Sequence, residues 1–303
     1  MKQAKLTFSS EEEILHYVNG CENQYAADVK SACDIAAAGG RIITLCGPSC
    51  SGKTTTALIL DDEFKKLGKE LHTISIDNFY FDRGVLVERS IKANKPLDYD
   101  SPTTIDLELF GKVIADIDDG GTVTLPTFDF KDGVRTGYET INITESDVFL
   151  FEGIQALYPE VTRYLAGRDC TSMFISARDA VAYGDTVFEP RELRFLRRLV
   201  RDARTRNASA DFTFSIWESV CQNEDENIYP NIGACNVHID SSFEYEVSVI
   251  KPFALALLAG VRADSPFKEK AQIIINKLEN VPVIDAKYVP DGSVFREFIG
   301  ERT

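Results

Sequence analysis

The chain has 303 residues, 44% of them hydrophobic and 27% charged, and a formal net charge of −15. That is enough chain to bury a real core in one large domain. The acidity argues against a nucleic-acid or anionic-membrane surface as the main partner, since both require basic patches. Seven cysteines, odd in number and never spaced as C-x-x-C, fit neither a disulfide framework nor a zinc site, so a reducing cytoplasm is expected. No basic segment followed by an apolar one opens the chain, and the longest apolar run, near residues 253–261, is too short to span a bilayer. The isolated His16, His72 and His238 have no partner spacing for a metal or a catalytic triad.

In chain order, residues 1–40 read as a helical lead-in. Segments 11–18 and 25–38 are rich in Ala and Glu, and Gly39-Gly40 stops them before a first strand at 41–46. Gly47-Pro48-Ser49-Cys50-Ser51-Gly52-Lys53-Thr54 follows, in the pattern G-x-x-x-x-G-K-T between a strand and a helix. Gly47 and Gly52 permit backbone angles and a close approach that a Cβ would obstruct, so successive N–H groups can form a concave anion site at a helix start. Lys53 would reach the β- and γ-phosphates, and the Thr54 hydroxyl would help hold Mg2+. Ser49, Cys50, Ser51 and Thr55 complete the donor-binding stretch. Cys50 is also a candidate accessible thiol, although an incidental small residue is the plainer reading.

Residues 54–67 form the helix, with Leu60, Phe64 and Leu67 on one side and Gly68 as its stop. The strand at 71–76 then completes a βαβ unit, hence a parallel sheet, and delivers Asp77 to the ligand-gathering edge. Residues 81–102 read as polar and irregular, and 106–117 as an amphipathic helix. Period-two alternation at 122–125 and 138–143 predicts a small antiparallel excursion carrying Phe128 and Phe130, either as a base-binding lid or as the hairpin's own minor core. The apolar run at 147–153 predicts a central strand ending in Glu152, placed to act on Mg2+ or merely to cap the strand. A fourth strand is expected at 171–176.

The densest positive charge lies between Arg191 and Arg206. Arg194, Arg197, Arg198, Arg201 and Arg204 share one helical face, with Leu193, Leu196, Val200 and Ala203 on the other. A lid helix closing over a triphosphate is favoured over a merely solvated face, because the arginine fork suits phosphate oxygens. A fifth strand is expected at 235–240, a helix at 244–261 interrupted at Pro252, and a helix start at Ser265-Pro266 by N-cap plus proline. The expected fold is α/β: a P-loop three-layer α/β/α arrangement with a mostly parallel five-stranded sheet, a β-hairpin excursion and the Arg-rich lid helix. The division expected is 1–40 lead-in, 41–250 P-loop domain and 251–303 helical extension on the same domain.

Together these motifs resemble the phosphoribulokinase/uridine kinase family of P-loop kinases. The phosphate loop, Ser75-Ile76-Asp77-Asn78-Phe79-Tyr80, Asp98-Tyr99-Asp100-Ser101-Pro102 leading to Asp106, and Pro126-Thr127-Phe128-Asp129-Phe130 occur in family order. Val148-Phe149-Leu150-Phe151-Glu152-Gly153-Ile154, Leu196-Arg197-Arg198-Leu199-Val200-Arg201-Asp202 and Asn227-Ile228-Tyr229-Pro230 continue it. The stretch 204–210 and the tail Ser293-Val294-Phe295-Arg296-Glu297-Phe298-Ile299-Gly300 are similar to a bacterial nucleoside kinase branch. The resemblance implies that Asp77 is the general base, Asp100 holds ribose hydroxyls, Glu152 associates with Mg2+, Arg198 and Arg201 neutralise the transferring phosphoryl group, and Arg135 lies on the substrate side. Tyr80 joins the acceptor side and Arg206 the donor side; Lys53 is counted with the catalytic groups.

The departures concern the acceptor. In uridine-cytidine kinases a Tyr stands where Phe128 is and a base-reading His where Gly133 aligns, and Asn207-Ala208 replaces a family glycine-arginine. A site lacking its base-edge donor cannot strongly select that base. The activity the resemblance implies is therefore transfer of the γ-phosphate of ATP or GTP, with Mg2+, to the 5′-hydroxyl of a nucleoside, uridine- or cytidine-like or broader. Another small alcohol, such as a sugar phosphate or a pantothenate-like acceptor, stays open, as does a non-catalytic nucleotide-binding regulator. The partner expected is a small molecule, with a homo-oligomer left open and no nucleic acid or membrane.

Overall fold

The computed structural model describes residues 1–94 and 99–301. Leu97 and Asp98, ahead of Tyr99-Asp100, and the last two residues of the expected extension lie outside them. The strands are β1 (Lys2–Gln3), β2 (Ile42–Cys46), β3 (Glu70–Ser75), β4 (Thr122–Asp129), β5 (Val134–Asn142), β6 (Asp147–Glu152), β7 (Cys170–Ser176), β8 (Val181–Tyr183), β9 (Thr186–Phe188) and β10 (Val237–Asp240). The helices are α1 (Glu11–Ala37), α2 (Lys53–Lys66), α3 (Arg83–Ala93), α4 (Leu107–Asp119), α5 (Pro159–Thr162), α6 (Pro190–Arg206), α7 (Ala210–Asn223), α8 (Glu246–Ala259), α9 (Lys268–Glu279) and α10 (Arg296–Ile299).

The central sheet has the order β10-β7-β2-β6-β3, and all its pairings are parallel. Its inner strands are apolar on both faces because both faces are covered, as a parallel sheet requires. Ile43, Leu45, Val148, Leu150, Met173 and Ile175 face a core shared with α1, α2, α6, α8 and the C-terminal segment. Ile42, Cys46, Phe149, Phe151 and Phe174 face the other side, against α4 and the β4–β5 hairpin. Three layers result, with the carboxyl ends of β2, β3 and β6 along one edge. Among the described residues no helix is long and apolar enough to cross a membrane.

Several local expectations are corrected. The lead-in is one continuous helix, α1, whose Val18, Tyr25, Val29, Ala32 and Ala36 are buried, and β1 ahead of it pairs with β8. Residues 81–102 are not wholly irregular, for they contain α3. That helix buries only Leu86 and leaves Val85, Val87 and Ile91 exposed, so no apolar stripe announces it. The hairpin strands run further than the alternation, to a turn before Val134. Pro252 lies inside α8 without ending it. The carbonyl it cannot serve, that of Ser248, instead accepts from the Ile284 N–H at 3.1 Å. Ser265 does not cap a helix: α9 starts at Lys268 with Phe267 in the N-cap position, and Ser265 Oγ accepts from the Phe267 N–H in the turn before it.

Candidate active site

The glycine loop follows from its two steric constraints. A Cβ on Gly47 would lie 2.3 Å from the Ile175 carbonyl oxygen and 2.5 Å from Ser51 Oγ. Gly52 has φ +92° and opens α2 with no side chain capping it, which leaves the first-turn N–H groups directed outward. Cys50 adopts φ 61°, a left-handed conformation costing an ordinary residue about 1–2 kcal/mol, as a backbone nest demands. Ser51 Oγ is buried without a hydrogen-bond partner, and Lys53 Nζ folds back onto the Gly47 and Pro48 carbonyls at 2.7 and 3.3 Å. The Ser51 hydroxyl is thus left without a partner inside the loop, while Lys53 is held on the loop's own carbonyls. Cys50 is itself buried, and burial pushes its thiol up, in line with the plainer reading of an incidental small residue and against the accessible-thiol candidate.

Carboxylates from two other strand ends meet this loop. Glu152 ends β6 in register with Leu45 of β2 and Ser75 of β3. Burial raises its pKa, against the opposing charge of Lys53 and a Ser75 hydrogen bond. Asp77 sits in the short 3-10 turn after β3 and accepts from Gln155 Nε2 at 2.9 Å. The same nitrogen donates to the Tyr80 hydroxyl at 2.8 Å, which donates to the Tyr99 carbonyl at 3.0 Å. Burial, then Asp77, pushes the Tyr80 phenol up, so it stays neutral. Gln155 is fully buried, and a Cβ on Gly153 would come within 2.7 Å of its Oε1. Tyr158 donates to the Asp100 carbonyl at 3.0 Å.

The arginine face divides into two roles. Arg194 and Arg197 are buried completely. Arg194 donates to both oxygens of Glu224 at 2.6 Å, and Arg197 pairs with Glu246. Arg204 donates to the Glu297 carbonyl at 2.8 Å. These three are held within the protein: helical spacing reveals which residues share a face, not that distant carboxylates and carbonyls will cover it. The remaining cations fan out from the buried Asp202, which lies 3.3 Å from Arg198, 2.8 Å from Arg201 and 3.4 Å from Arg206. Arg198 Nη1 also donates to Ser49 Oγ at 2.8 Å.

One cavity of about 350 Å3 is lined by Ser49 to Thr54, Asp77, Tyr80, Asp100, Glu152, Arg198, Arg201 and Arg206. Thr55 is turned to Glu297, whose Oε2 it reaches at 3.3 Å. Phe128 and Phe130 lie in a neighbouring cavity of about 300 Å3 that shares Tyr80. Arg135 donates to Asp106 and the Tyr80 carbonyl at 3.3 and 3.4 Å, so it is engaged beside the aromatic cavity and not in the phosphate one. Gln155 escaped the sequence reading, because a buried amide carries no pattern, and Asp202 and Glu297 lay in quoted stretches without a role of their own. Away from this edge, Glu70, His72 and Asp147 bring ligand atoms within 4.8 Å of one another, a cross-strand grouping that linear spacing did not show.

A glycine cradle between strand and helix, faced by carboxylates and arginines on a three-layer parallel sheet, defines a P-loop kinase. The model of the Phosphoribulokinase / Uridine kinase family matches residues 42–248, and the chain belongs to that family. A uridine kinase of Ureaplasma parvum serovar 3 is 27% identical over 201 residues, covering 65% of this chain and 86% of its own. One from Lactobacillus helveticus is 32% identical over 171 residues, 56% of this chain and 71% of its own. A solved structure described as a possible uridine kinase from Bacillus stearothermophilus has a TM-score of 0.44 at 16% identity, covering 72% of this chain and all of that one.

Proposed function

We propose that the protein transfers the γ-phosphate of ATP or GTP, with Mg2+, to the 5′-hydroxyl of a nucleoside. The observation that carries this is the hydrogen-bonded Asp77–Gln155–Tyr80 group lining the same cavity as Lys53 and the Arg198–Arg201 pair. The amide fixes the carboxylate, so an alcohol between Asp77 and the loop meets a base already oriented toward it. The orphaned Ser51 hydroxyl and the crowding at Gly47 fit a phosphate group. Thr54 and Glu152 are the oxygen donors that would hold Mg2+, which would supply neutralisation of phosphate charge. Lys53 would leave its loop carbonyls for phosphate oxygens, and Arg198 and Arg201 would face the transferring group. Asp100, with two acceptor oxygens, suits a vicinal diol.

A wider acceptor range is favoured by the aromatic cavity. Gly133 has φ +71°, and a Cβ there would sit 2.6 Å from Arg83 Nε. A base-reading side chain does not fit that turn without displacing Arg83, and Phe128 and Phe130 offer ring surface only. Stacking without edge readout tolerates several bases.

The test is an acceptor screen with mass-spectrometric detection of the phosphorylated product, using ATP and GTP with a panel of nucleosides, sugar phosphates and pantothenate. Nucleoside 5′-monophosphates are expected, with less than about tenfold discrimination among bases. Phosphorylation of non-nucleoside alcohols alone would reject the nucleoside assignment, and nucleotide binding with no transfer to any acceptor would reject catalysis.

A further inference from the structure

Of the carboxylates that line the phosphate cavity, Asp77, Asp100 and Glu152 have roles in the proposed reaction and Glu224 is paired with Arg194, whereas Glu297 has none assigned. The C-terminal segment presses on the glycine loop: Val294 Cγ2 lies 2.4 Å from where a Cβ on Gly52 would be. Glu297 follows in α10 and accepts from Thr55, in the first turn of α2. The segment is firmly held. The buried Arg296 guanidinium donates to the Ala286 and Val289 carbonyls at 2.8 and 2.5 Å. Phe295 and Phe298 lie 5.9 and 5.0 Å from the guanidinium of Arg197. The half-buried Glu297 carboxylate thus has a fixed place in the cavity that Lys53, Arg201 and Arg206 also line.

Its partners in the protein account for part of this placement. Thr55 engages one of the two carboxylate oxygens, which leaves acceptor capacity on the cavity side. What meets that capacity depends on where along the cavity it lies. Asp77 and Tyr80 are tied through Gln155 to the β3 and β6 edge. Glu297 touches α2 and α6 instead, through Thr55 and Arg204. In-line transfer sets the donor and the acceptor alcohol on opposite sides of the moving phosphoryl group, so Glu297 belongs to the donor side. A carboxylate accepts hydrogen bonds and repels phosphate. The donor nucleotide offers it hydroxyl hydrogens on the ribose, in a pair that two carboxylate oxygens match.

On the proposed kinase reading, we infer that Glu297 is a specificity-determining residue that accepts hydrogen bonds from the ribose hydroxyls of the phosphate donor. The experiment measures equilibrium binding to the full chain with Mg2+ and no acceptor, using ATP and GTP, the 2′,3′-dideoxy form of whichever binds, and inorganic tripolyphosphate as probes; the outcomes are written for ATP and read the same way for GTP. Wild type is expected to hold ATP about tenfold or more tighter than dideoxyATP, the scale of hydrogen bonds to a charged group. Glu297→Ala should weaken ATP by a similar factor while dideoxyATP and tripolyphosphate bind unchanged or tighter, and Glu297→Gln, which keeps an accepting oxygen, should fall between. Equal affinity of wild type for ATP and dideoxyATP overturns the inference without any variant. Equal weakening of all three probes by Glu297→Ala or Glu297→Gln overturns it too, marking a scaffold role. If wild type binds no ATP or GTP at all, the donor reading itself fails, a result distinct from either.

Discussion

Asp77 and Glu152 are both carboxylates at strand ends, yet their surroundings give them different demands. Asp77 receives the Gln155 amide hydrogen, whereas Glu152 is held up by burial. Asp77→Asn is expected to lower kcat by roughly 10²-fold or more, with donor binding retained; near-normal turnover would remove Asp77 from the chemistry. For Glu152 the sign is fixed by the raised pKa: the carboxylate is protonated over an interval above its ordinary value, and a protonated acid is a poor metal partner. The apparent KM for Mg2+ should therefore rise as the pH falls through that interval. Glu152→Gln should raise it at every pH and flatten the dependence, and an unchanged slope in that variant would assign the titration elsewhere. That Lys53, Asp77 and Glu152 meet in one cavity was legible from sequence, because a glycine loop and two apolar strand runs end at the same sheet edge. Gln155 was not, since its importance comes from a buried bond to a residue far away in the chain.

Helix α6 illustrates how much of an element pattern alone conveys. The projection grouped its arginines correctly, but Glu224 and Glu246, from α7's end and from α8, convert two of them into buried pairs. Breaking such a pair from one side strands a charge, with a cost of about 3–5 kcal/mol. Arg194→Met should show that loss as a lowered urea midpoint with an unchanged m-value, and the double change Arg194→Met with Glu224→Met should recover most of it. Donor affinity should stay reduced in both, because Arg194 also donates to the Ser49 carbonyl of the phosphate loop at 3.1 Å. Recovery of donor affinity in the double variant would show that the loop does not depend on that bond. Long, doubly apolar strands were legible because burial on both faces leaves no other composition. The mostly exposed α3 and the run through Pro252 were not, since one has no stripe and the other depends on a distant N–H group.

At the scale of the molecule, the N-terminal helix, the start of α8 and the tail are joined by one half-buried acid. Glu22 accepts from the Tyr245 hydroxyl and from Ser293 Oγ, the latter at 2.6 Å. Tyr245, Phe243 and Phe295 pack together beside it. Burial raises the pKa of Glu22, with the Ser293 and Tyr245 hydrogen bonds and Arg296 opposing. Between its unfolded value and the raised folded one, the native state therefore holds the extra proton, and stability must fall with rising pH. The contribution of Glu22 is complete below the unfolded value and is lost as pH climbs through the folded one. Asp147 and Asp240, whose pKa values are lowered, act in the opposite sense, so only the difference between variants isolates it. Glu22→Gln keeps an acceptor and a similar volume but cannot ionise. Relative to wild type it should be unaltered or slightly weaker in the acid range and gain on it as pH rises, in urea midpoints read across the interval. The unfolding transition should also stay single by fluorescence and circular dichroism, because the acid joins segments of one core. Parallel pH profiles would show that Glu22 carries no proton difference between the folded and unfolded chain.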